Sequence, residues 1–262
     1  MKNARAGDTS QGADLHEDSI KVPAITVAFW IIKILATTFG ETAGDAVSMS
    51  LDLGYLTSTV IFALAFMAFV VAQTRARSFH PYLYWSTIIA TTTVGTTLAD
   101  FLTRSVGIGY PGGALILMVM LGLTLYAWKR TLGSTSVTMV MSAPAEMYYW
   151  LTIMVSQTLG TALGDWTADT AGLGYSGSAL VFGSALAIIA VAYYRTKIAH
   201  TALFWAAFIL TRPLGAVIGD FLDKPIDHGG LALSRYTASA VIFVLIAGGI
   251  HFFSRRPALR QH

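Results

Sequence analysis

Long apolar stretches alternate with short polar segments along almost the whole chain. Eight of these stretches are long enough to cross a bilayer whose hydrocarbon core is about 30 Å thick. They lie at roughly 23–45, 56–73, 81–102, 111–128, 146–168, 175–194, 201–222 and 236–253. The pattern predicts an all-α membrane protein with eight transmembrane helices.

The odd-numbered stretches share one spacing of tryptophan, glycine and aspartate. Each follows Trp-x9-Gly-x4-Asp, and a glycine or alanine precedes every aspartate. The four sets are Trp30, Gly40 and Asp45; Trp85, Gly95 and Asp100; Trp150, Gly160 and Asp165; and Trp205, Gly215 and Asp220. The tryptophans are 55, 65 and 55 residues apart, so the chain divides into two similar halves. This spacing predicts four tandem two-helix repeats.

The predicted organisation follows from these repeats. Residues 1–20 form a polar cytoplasmic tail, 21–132 hold the first two repeats, 140–255 hold the other two, and 256–262 form a basic C-terminal tail. Because each repeat has two spans, all four repeats enter the membrane in the same direction. They are then related by an axis along the membrane normal, and equivalent residues share one depth.

The chain resembles a family of bacterial polytopic membrane proteins of unknown function, often labelled uncharacterised membrane-anchored proteins. Members of that family have four tandem two-helix repeats, each with a characteristic tryptophan. The resemblance covers nearly all of the chain beyond the N-terminal tail. It implies the architecture and no particular activity, so the function has to be inferred from the residues.

Composition and charge agree with a membrane location. Hydrophobic residues make up 55% of the 262 residues and charged residues only 12%. The net charge of +3 is spread over loops and tails, so nucleic acid is not an expected partner. The absence of cysteine excludes disulfides and thiolate chemistry. Twelve of the 17 Lys and Arg residues lie in the N-terminal tail and on its side of the spans. This bias predicts that both termini lie in the cytoplasm. Together with the resemblance, which implies a bacterial source, it leads to the expectation of a multi-pass protein of the bacterial inner membrane.

The four repeated aspartates are the main candidates for chemistry. The 15 residues from each tryptophan to its aspartate cover about 22 Å of helix. With the tryptophans near the cytoplasmic interface, the aspartates lie in the outer half of the bilayer. A carboxylate inside hydrocarbon costs at least a few kcal/mol, so the set requires a partner. We expect Asp45, Asp100, Asp165 and Asp220 to bind a hard cation, and to be the metal ligands if that ion is divalent.

Polar residues lie on the same helical face, three, four and seven positions before the aspartates. They are Thr42, Glu41 and Thr38 in the first repeat, Thr97, Thr96 and Thr93 in the second, and Thr161 and Thr158 in the third. In the fourth repeat, the equivalent positions are apolar. This stripe predicts a cation pathway, in which Glu41 is a candidate for proton coupling or for a fifth ligand.

The sequence also allows purely structural roles for these residues. Each aspartate can hold its own loop, and Asp100 can pair with Arg104 four residues later. Threonines in membrane helices often bond their own backbone, and the tryptophans are expected to be interfacial anchors or packing residues.

Lys33 is interpreted as a lysine that extends to the cytoplasmic interface, with a charge relay to Glu41 as the alternative. Arg212 either forms a tertiary salt bridge or replaces a cation in the fourth repeat.

Three classes of function fit these observations. A transporter or channel for H⁺, Na⁺, Mg²⁺ or Mn²⁺ is the leading one, because the candidate ligands are oxygen atoms. An intramembrane hydrolase that uses two aspartates as acid and base is the only enzyme alternative. The third is a structural or partner-binding membrane protein. The expected partners are the lipid bilayer and the cation. No cofactor is expected, unless the bound cation is a metal ion, and the oligomeric state is open.

Overall fold

A computed structural model describes residues 21–137, 140, 142–254 and 256–257. The tail expected over 1–20 and most of the tail expected over 256–262 lie outside the described residues. Within the described part, the chain forms eight long α-helices. They are α1 (Val27–Asp45), α2 (Gly54–Arg75), α3 (Pro81–Asp100), α4 (Gly109–Leu132), α5 (Ala143–Asp165), α6 (Gly174–Arg195), α7 (His200–Asp223) and α8 (Arg235–Phe253). Each corresponds to one of the eight expected stretches, with ends that differ by a few residues.

Five of these helices, α2, α4, α6, α7 and α8, are long and apolar enough to cross a membrane. The remaining three, α1, α3 and α5, contain the threonines and carboxylates of the repeats, which reduce their apolar character. The predicted all-helical fold is therefore confirmed. Five of the eight helices have the length and apolar composition of a membrane span.

The odd-numbered helices form a closed inner ring. Helix α1 packs on α3, α3 on α5, α5 on α7, and α7 on α1. Each even-numbered helix packs outside this ring against the inner helix of the next repeat. Thus α2 lies on α3, α4 on α5, α6 on α7, and α8 returns to α1. Each repeat depends on its neighbour to cover its inner helix, and the last repeat closes the circle.

The outer helices carry their large apolar side chains on the outside of the molecule. Exposed examples are Leu64, Met67, Leu115, Leu123, Leu180, Ile188 and Val244. The inner helices, by contrast, bury many threonines and all four repeated aspartates. An apolar exterior around a polar interior is the arrangement expected when hydrocarbon is the solvent.

The repeated glycines mark the closest approach of neighbouring inner helices. A Cβ atom added to Gly95 would lie 2.9 Å from the main-chain carbonyl carbon of Gln157. The three equivalent contacts pair Gly40 with Thr92, Gly160 with Arg212, and Gly215 with Thr37. Since only glycine allows this approach, these positions define the spacing of the ring.

The repeated tryptophans pack at the end of the ring opposite the aspartates, which we call the tryptophan end. Each contacts an aromatic ring of the preceding repeat, with ring centroids 5.4–6.2 Å apart. The pairs are Phe29–Trp85, Tyr84–Trp150, Tyr149–Trp205 and Phe204–Trp30. Trp85 also donates a hydrogen bond to Ser254 Oγ (2.7 Å), and Trp205 donates to the carbonyl oxygen of Thr135 (2.9 Å). These contacts support the interpretation of the tryptophans as packing residues.

The inner helices do not stop at their aspartates. In the first three repeats, a single π-helical turn follows the aspartate, at Ala46–Ser50, Phe101–Ser105 and Trp166–Thr170. The fourth inner helix continues as α-helix to Asp223 and is followed by Lys224. This end of the ring, where the chain turns from inner to outer helix, is called the aspartate end below.

Candidate cation site

Side chains at intervals of four residues on the inner helices lie above one another along the axis of the ring. The aspartate layer contains Asp45, Asp100, Asp165 and Asp220, which are at most 3% exposed. The layer four residues before it contains Glu41, Thr96, Thr161 and Ala216. The layer eight residues before it contains Thr37, Thr92, Gln157 and Arg212. All twelve side chains are buried.

The Arg212 side chain reaches the layer of Glu41 from the fourth repeat. Its Nη2 atom lies 3.0 Å from Glu41 Oε2 and 2.6 Å from the hydroxyl oxygens of both Thr96 and Thr161. Arg212 is fully buried, and Glu41 is 3% exposed. One guanidinium therefore connects all four repeats, which bears out the salt-bridge interpretation of Arg212.

Two basic side chains each contact two of the four aspartates. Arg104 lies 2.8 Å from Asp100 and 3.6 Å from Asp165, measured between the nearest nitrogen and oxygen atoms. Lys224 Nζ lies 2.5 Å from Asp45 Oδ2 and 3.0 Å from Asp220 Oδ1. The structural alternative in which Asp100 pairs with Arg104 is thus present. Basic groups of the chain itself contact the carboxylates for which the sequence predicted a cation.

Arg104 and Lys224 lie beyond the ends of α3 and α7. Burial opposes the charge of Lys224, but the carboxylates of Asp220 and Asp45 raise its pKa above the usual value. Burial likewise opposes the charge of Arg104, and its two aspartates raise its pKa. Both groups therefore stay positively charged at neutral pH.

Carboxylates outnumber basic groups at the aspartate end. Arg235 adds a contact of 2.8 Å to Asp223 and one of 4.0 Å to Asp45. The ion pairs form three groups: Arg212 with Glu41, Arg104 with Asp100 and Asp165, and Lys224 and Arg235 with Asp45, Asp220 and Asp223. The last two groups each contain one carboxylate more than basic side chains, so each has a negative formal charge and can accept a proton or a cation.

Three of these carboxylates converge on one point. Glu41, Asp45 and Asp220 each place one oxygen atom within 4.8 Å of the other two. One oxygen of Asp45, Oδ1, is buried and has no hydrogen-bond partner among the described residues. Hard cations bind such oxygen atoms at about 2.0–2.6 Å, so small side-chain movements would let these three residues hold one ion.

A pocket opens at the aspartate end of the axis. It is lined by the four residues that follow the aspartates at the fourth position, Met49, Arg104, Asp169 and Lys224, together with Tyr175, His228 and Arg235. Lys224 lies between this pocket and the converging carboxylates, since its ammonium group contacts Asp45 and Asp220. The pocket therefore adjoins the basic side chain that contacts two of these carboxylates.

The remaining threonines of the expected stripe do not reach the axis. Thr42 accepts a hydrogen bond from Ser239 of α8 (2.8 Å), and Thr97 accepts one from Thr59 of α2 (2.9 Å). The threonines seven positions before the aspartates donate to carbonyls of their own helix; they are Thr38, Thr93 and Thr158. Only Glu41, Thr96 and Thr161 of the stripe come together, and the other threonines join helices or bond their own backbone.

Sequence reasoning missed two parts of this arrangement. It did not single out Thr37, Thr92 and Gln157, because the axis-facing positions were followed only seven residues back from the aspartates. In the sequence, these residues can be recognised because each lies three residues before the repeated glycine of its helix. It also did not single out Lys224, although Lys224 follows Asp220 by four residues, as Arg104 follows Asp100.

The expectation that Lys33 extends to the membrane interface was wrong, because Lys33 is completely buried. Its Nζ atom lies 4.2 Å from the ring centroid of Phe208 and has no hydrogen-bond partner within the described part of the chain. The equivalent residues of the other repeats are Ile88, Ile153 and Phe208, all fully buried. An amine thus occupies a position that is apolar in three repeats.

We expect Lys33→Met to stabilise the protein by about 1–3 kcal/mol, because an amine without a hydrogen-bond partner is removed from an otherwise apolar layer while the side-chain length is kept. Thermal unfolding in detergent, followed by tryptophan fluorescence, measures the change. Lys21→Met is the comparison, since Lys21 bonds Glu146 at 2.7 Å and should lose stability. A lower unfolding temperature for Lys33→Met would mean that this amine has a stabilising partner.

A family model described as Repeat of Unknown Function (DUF347) matches the chain at residues 28–79, 83–134, 148–199 and 203–256. Each matched segment contains one inner and one outer helix, in agreement with the four predicted repeats. The chain has no match among curated proteins or among solved structures. Because the four segments cover most of its length, the chain belongs to the DUF347 family, which is defined by a repeat of unknown function.

Proposed function

We propose that this protein is a membrane transporter for a hard cation such as H⁺, Na⁺, Mg²⁺ or Mn²⁺. All eight helices would span a bacterial inner membrane, with the axis of the ring along the membrane normal and both termini in the cytoplasm. The apolar outer helices and the bias of Lys and Arg toward one side of the spans support this placement. The polar helices α1, α3 and α5 can cross the bilayer because other helices surround them.

The convergence of Glu41, Asp45 and Asp220 carries this proposal. Their oxygen atoms lie within 4.8 Å of one another, and all three residues are buried. Carboxylate oxygen is the preferred ligand of hard cations, whereas soft metals prefer sulfur. Around Lys224 and Arg235, the carboxylates of Asp45, Asp220 and Asp223 outnumber the basic side chains by one, which favours binding of a positive ion, and the adjacent pocket gives that ion a route.

The filled axis favours a transporter over an open channel. On the side of the carboxylates that faces the tryptophan end, Arg212 donates hydrogen bonds to side chains of the other three repeats. Further along, the layer of Lys33, Ile88, Ile153 and Phe208 is fully buried. At the tryptophan end, the hydroxyls of Tyr84 and Tyr149 are 2.6 Å apart. Passage would therefore need rearrangement of packed side chains, as alternating access requires.

The same geometry speaks against an aspartate-dyad hydrolase. Such a dyad needs two carboxylates that share a proton. Between Asp45 and Asp220 lies the ammonium group of Lys224 instead, and between Asp100 and Asp165 lies the guanidinium of Arg104. These pairs are suited to binding positive charge.

The proposal is tested by adding Na⁺, Mg²⁺ or Mn²⁺ to the purified protein and measuring its thermal unfolding. A cation that binds only the folded protein at 100 times its Kd stabilises by about 2.7 kcal/mol. We expect this gain for the wild type and its loss in Asp45→Asn, together with loss of cation flux into liposomes. Glu146→Gln is the matched control, since Glu146 is a buried carboxylate with a lysine partner in another part of the molecule. If the wild type neither binds nor moves any of these ions or protons, the proposed function is wrong.

A further inference from the structure

The aspartate layer consists of two unlike halves. In one half, Arg104 joins Asp100 and Asp165; in the other, Lys224 joins Asp45 and Asp220. We infer that Lys224 is a tethered competitor of the transported cation: its ammonium group occupies the site of Asp45 and Asp220 and leaves when the ion binds. This inference rests on the proposed function and identifies the half of the layer where the ion binds.

The Arg104 half is fixed from several sides. Besides its two aspartates, the guanidinium lies 5.6 Å from the ring centroid of Tyr110 and 3.5 Å from the hydroxyl of Tyr55. A planar guanidinium keeps several partners at once and is rarely exchanged for a small ion. This half is therefore suited to holding α3 and α5 together.

The Lys224 half is built for exchange. An ammonium group is a compact charge on a flexible chain, so it resembles a small cation and can move several ångströms without backbone change. Lys224 follows the end of α7 and, like Arg104, lines the pocket. Asp169, an exposed carboxylate, lines the same pocket and offers the displaced ammonium group a second partner.

The third carboxylate distinguishes this half further. Glu41 joins Asp45 and Asp220 in the converging set, whereas the set does not include Asp100 or Asp165. With Lys224 withdrawn, one oxygen atom from each of three carboxylates lies close to the other two, and Oδ1 of Asp45 has no hydrogen-bond partner among the described residues. A hard cation bound there replaces the positive charge that is lost when the ammonium group withdraws.

The inference is tested by titrating the full chain in detergent with Mn²⁺ and, separately, with Na⁺. We expect Lys224→Gln to bind the ion at least tenfold more tightly than the wild type, because the competitor is gone. Lys224→Arg should bind at least tenfold more weakly, because a guanidinium with two aspartates resembles the fixed half. Lys21→Gln is the control: Lys21 has the same 12% side-chain exposure and a carboxylate partner, and its replacement should leave the affinity unchanged.

The outcomes separate the two proposals. If the wild type binds the ion and Lys224→Gln binds it with equal affinity, the competitor role is refuted while the proposed function stands. If neither protein binds any ion, the proposed function fails and the inference fails with it. Should Lys224→Gln not fold, Lys224→Arg keeps the charge and decides the question, since an unchanged affinity contradicts competition. In the wild type, saturating Mn²⁺ should also increase the labelling of Lys224 by an aqueous amine reagent, and unchanged labelling counts against displacement.

Discussion

Replacing Arg212 with methionine is expected to destabilise the protein by about 3–5 kcal/mol. Removal of one partner leaves the other as an uncompensated buried charge, and this is the range usual for such a change. Here the remaining charge is Glu41, which is 3% exposed and 3.0 Å from Arg212. The hydroxyls of Thr96 and Thr161 lose their contact with the same nitrogen atom. Thermal unfolding in detergent, without added divalent cations, measures the loss.

A second substitution shows whether the buried charge is the cause. Glu41→Gln in the Arg212→Met background removes the unpaired carboxylate, so the double variant should regain more than half of the lost stability. A double-mutant cycle of the four proteins gives the interaction energy directly. Simple addition of the two single losses would mean that Arg212 and Glu41 do not stabilise each other.

Replacing Gly95 with alanine is the second change with a large expected effect. The added Cβ would lie 2.9 Å from the main-chain carbonyl carbon and 3.1 Å from the next main-chain nitrogen of α5, at Gln157 and Thr158. Backbone atoms of a packed helix cannot turn away as a long side chain can, so α3 and α5 must separate. Overpacking of this kind destabilises by about 1–3 kcal/mol, and movement of one helix in a closed ring disturbs the others. We expect a lower unfolding temperature and a lower yield of folded protein.

Gly122→Ala is the matched control for Gly95→Ala. Gly122 lies within the outer helix α4, and a Cβ there would meet no described heavy atom within 4 Å. Alanine should leave the stability unchanged or raise it by up to about 1 kcal/mol, because glycine is the poorer helix former. Equal losses from the two substitutions would show that helix propensity, and not the contact between α3 and α5, determines the effect of Gly95.

Several features of the candidate site were accessible from the chain. The repeated spacing identified the four aspartates, and the structure places all of them in one buried layer. The i+4 spacing of Asp100 and Arg104 indicated their ion pair correctly. Glu41 was selected as an extra carboxylate inside the membrane, and it does join Asp45 and Asp220. In each case the signal was a local spacing along one helix or a repetition of it.

Other features of the site depend on residues far apart in the chain. Arg104 reaches Asp165 across 61 positions, and Lys224 reaches Asp45 across 179. The residue spacing within one helix predicts neither contact, because each contact joins residues of different repeats. Lys33 shows the same limit: near the end of an apolar stretch, a lysine is expected to reach the interface, but α1 turns this side chain toward Phe208 of α7.

The chain alone is enough to derive the eight helices, the four repeats and the common level of the aspartates, because apolar length and periodic spacing are properties of short segments. It does not reveal which helices lie inside, that each outer helix covers the next repeat, or that Lys224 and Arg104 each join two repeats. These features arise when the ring closes, since closure brings the fourth repeat against the first and decides which buried charges become partners. The repeated aspartates are therefore readable as a set from the sequence, whereas the difference between their two halves is a property of the folded ring.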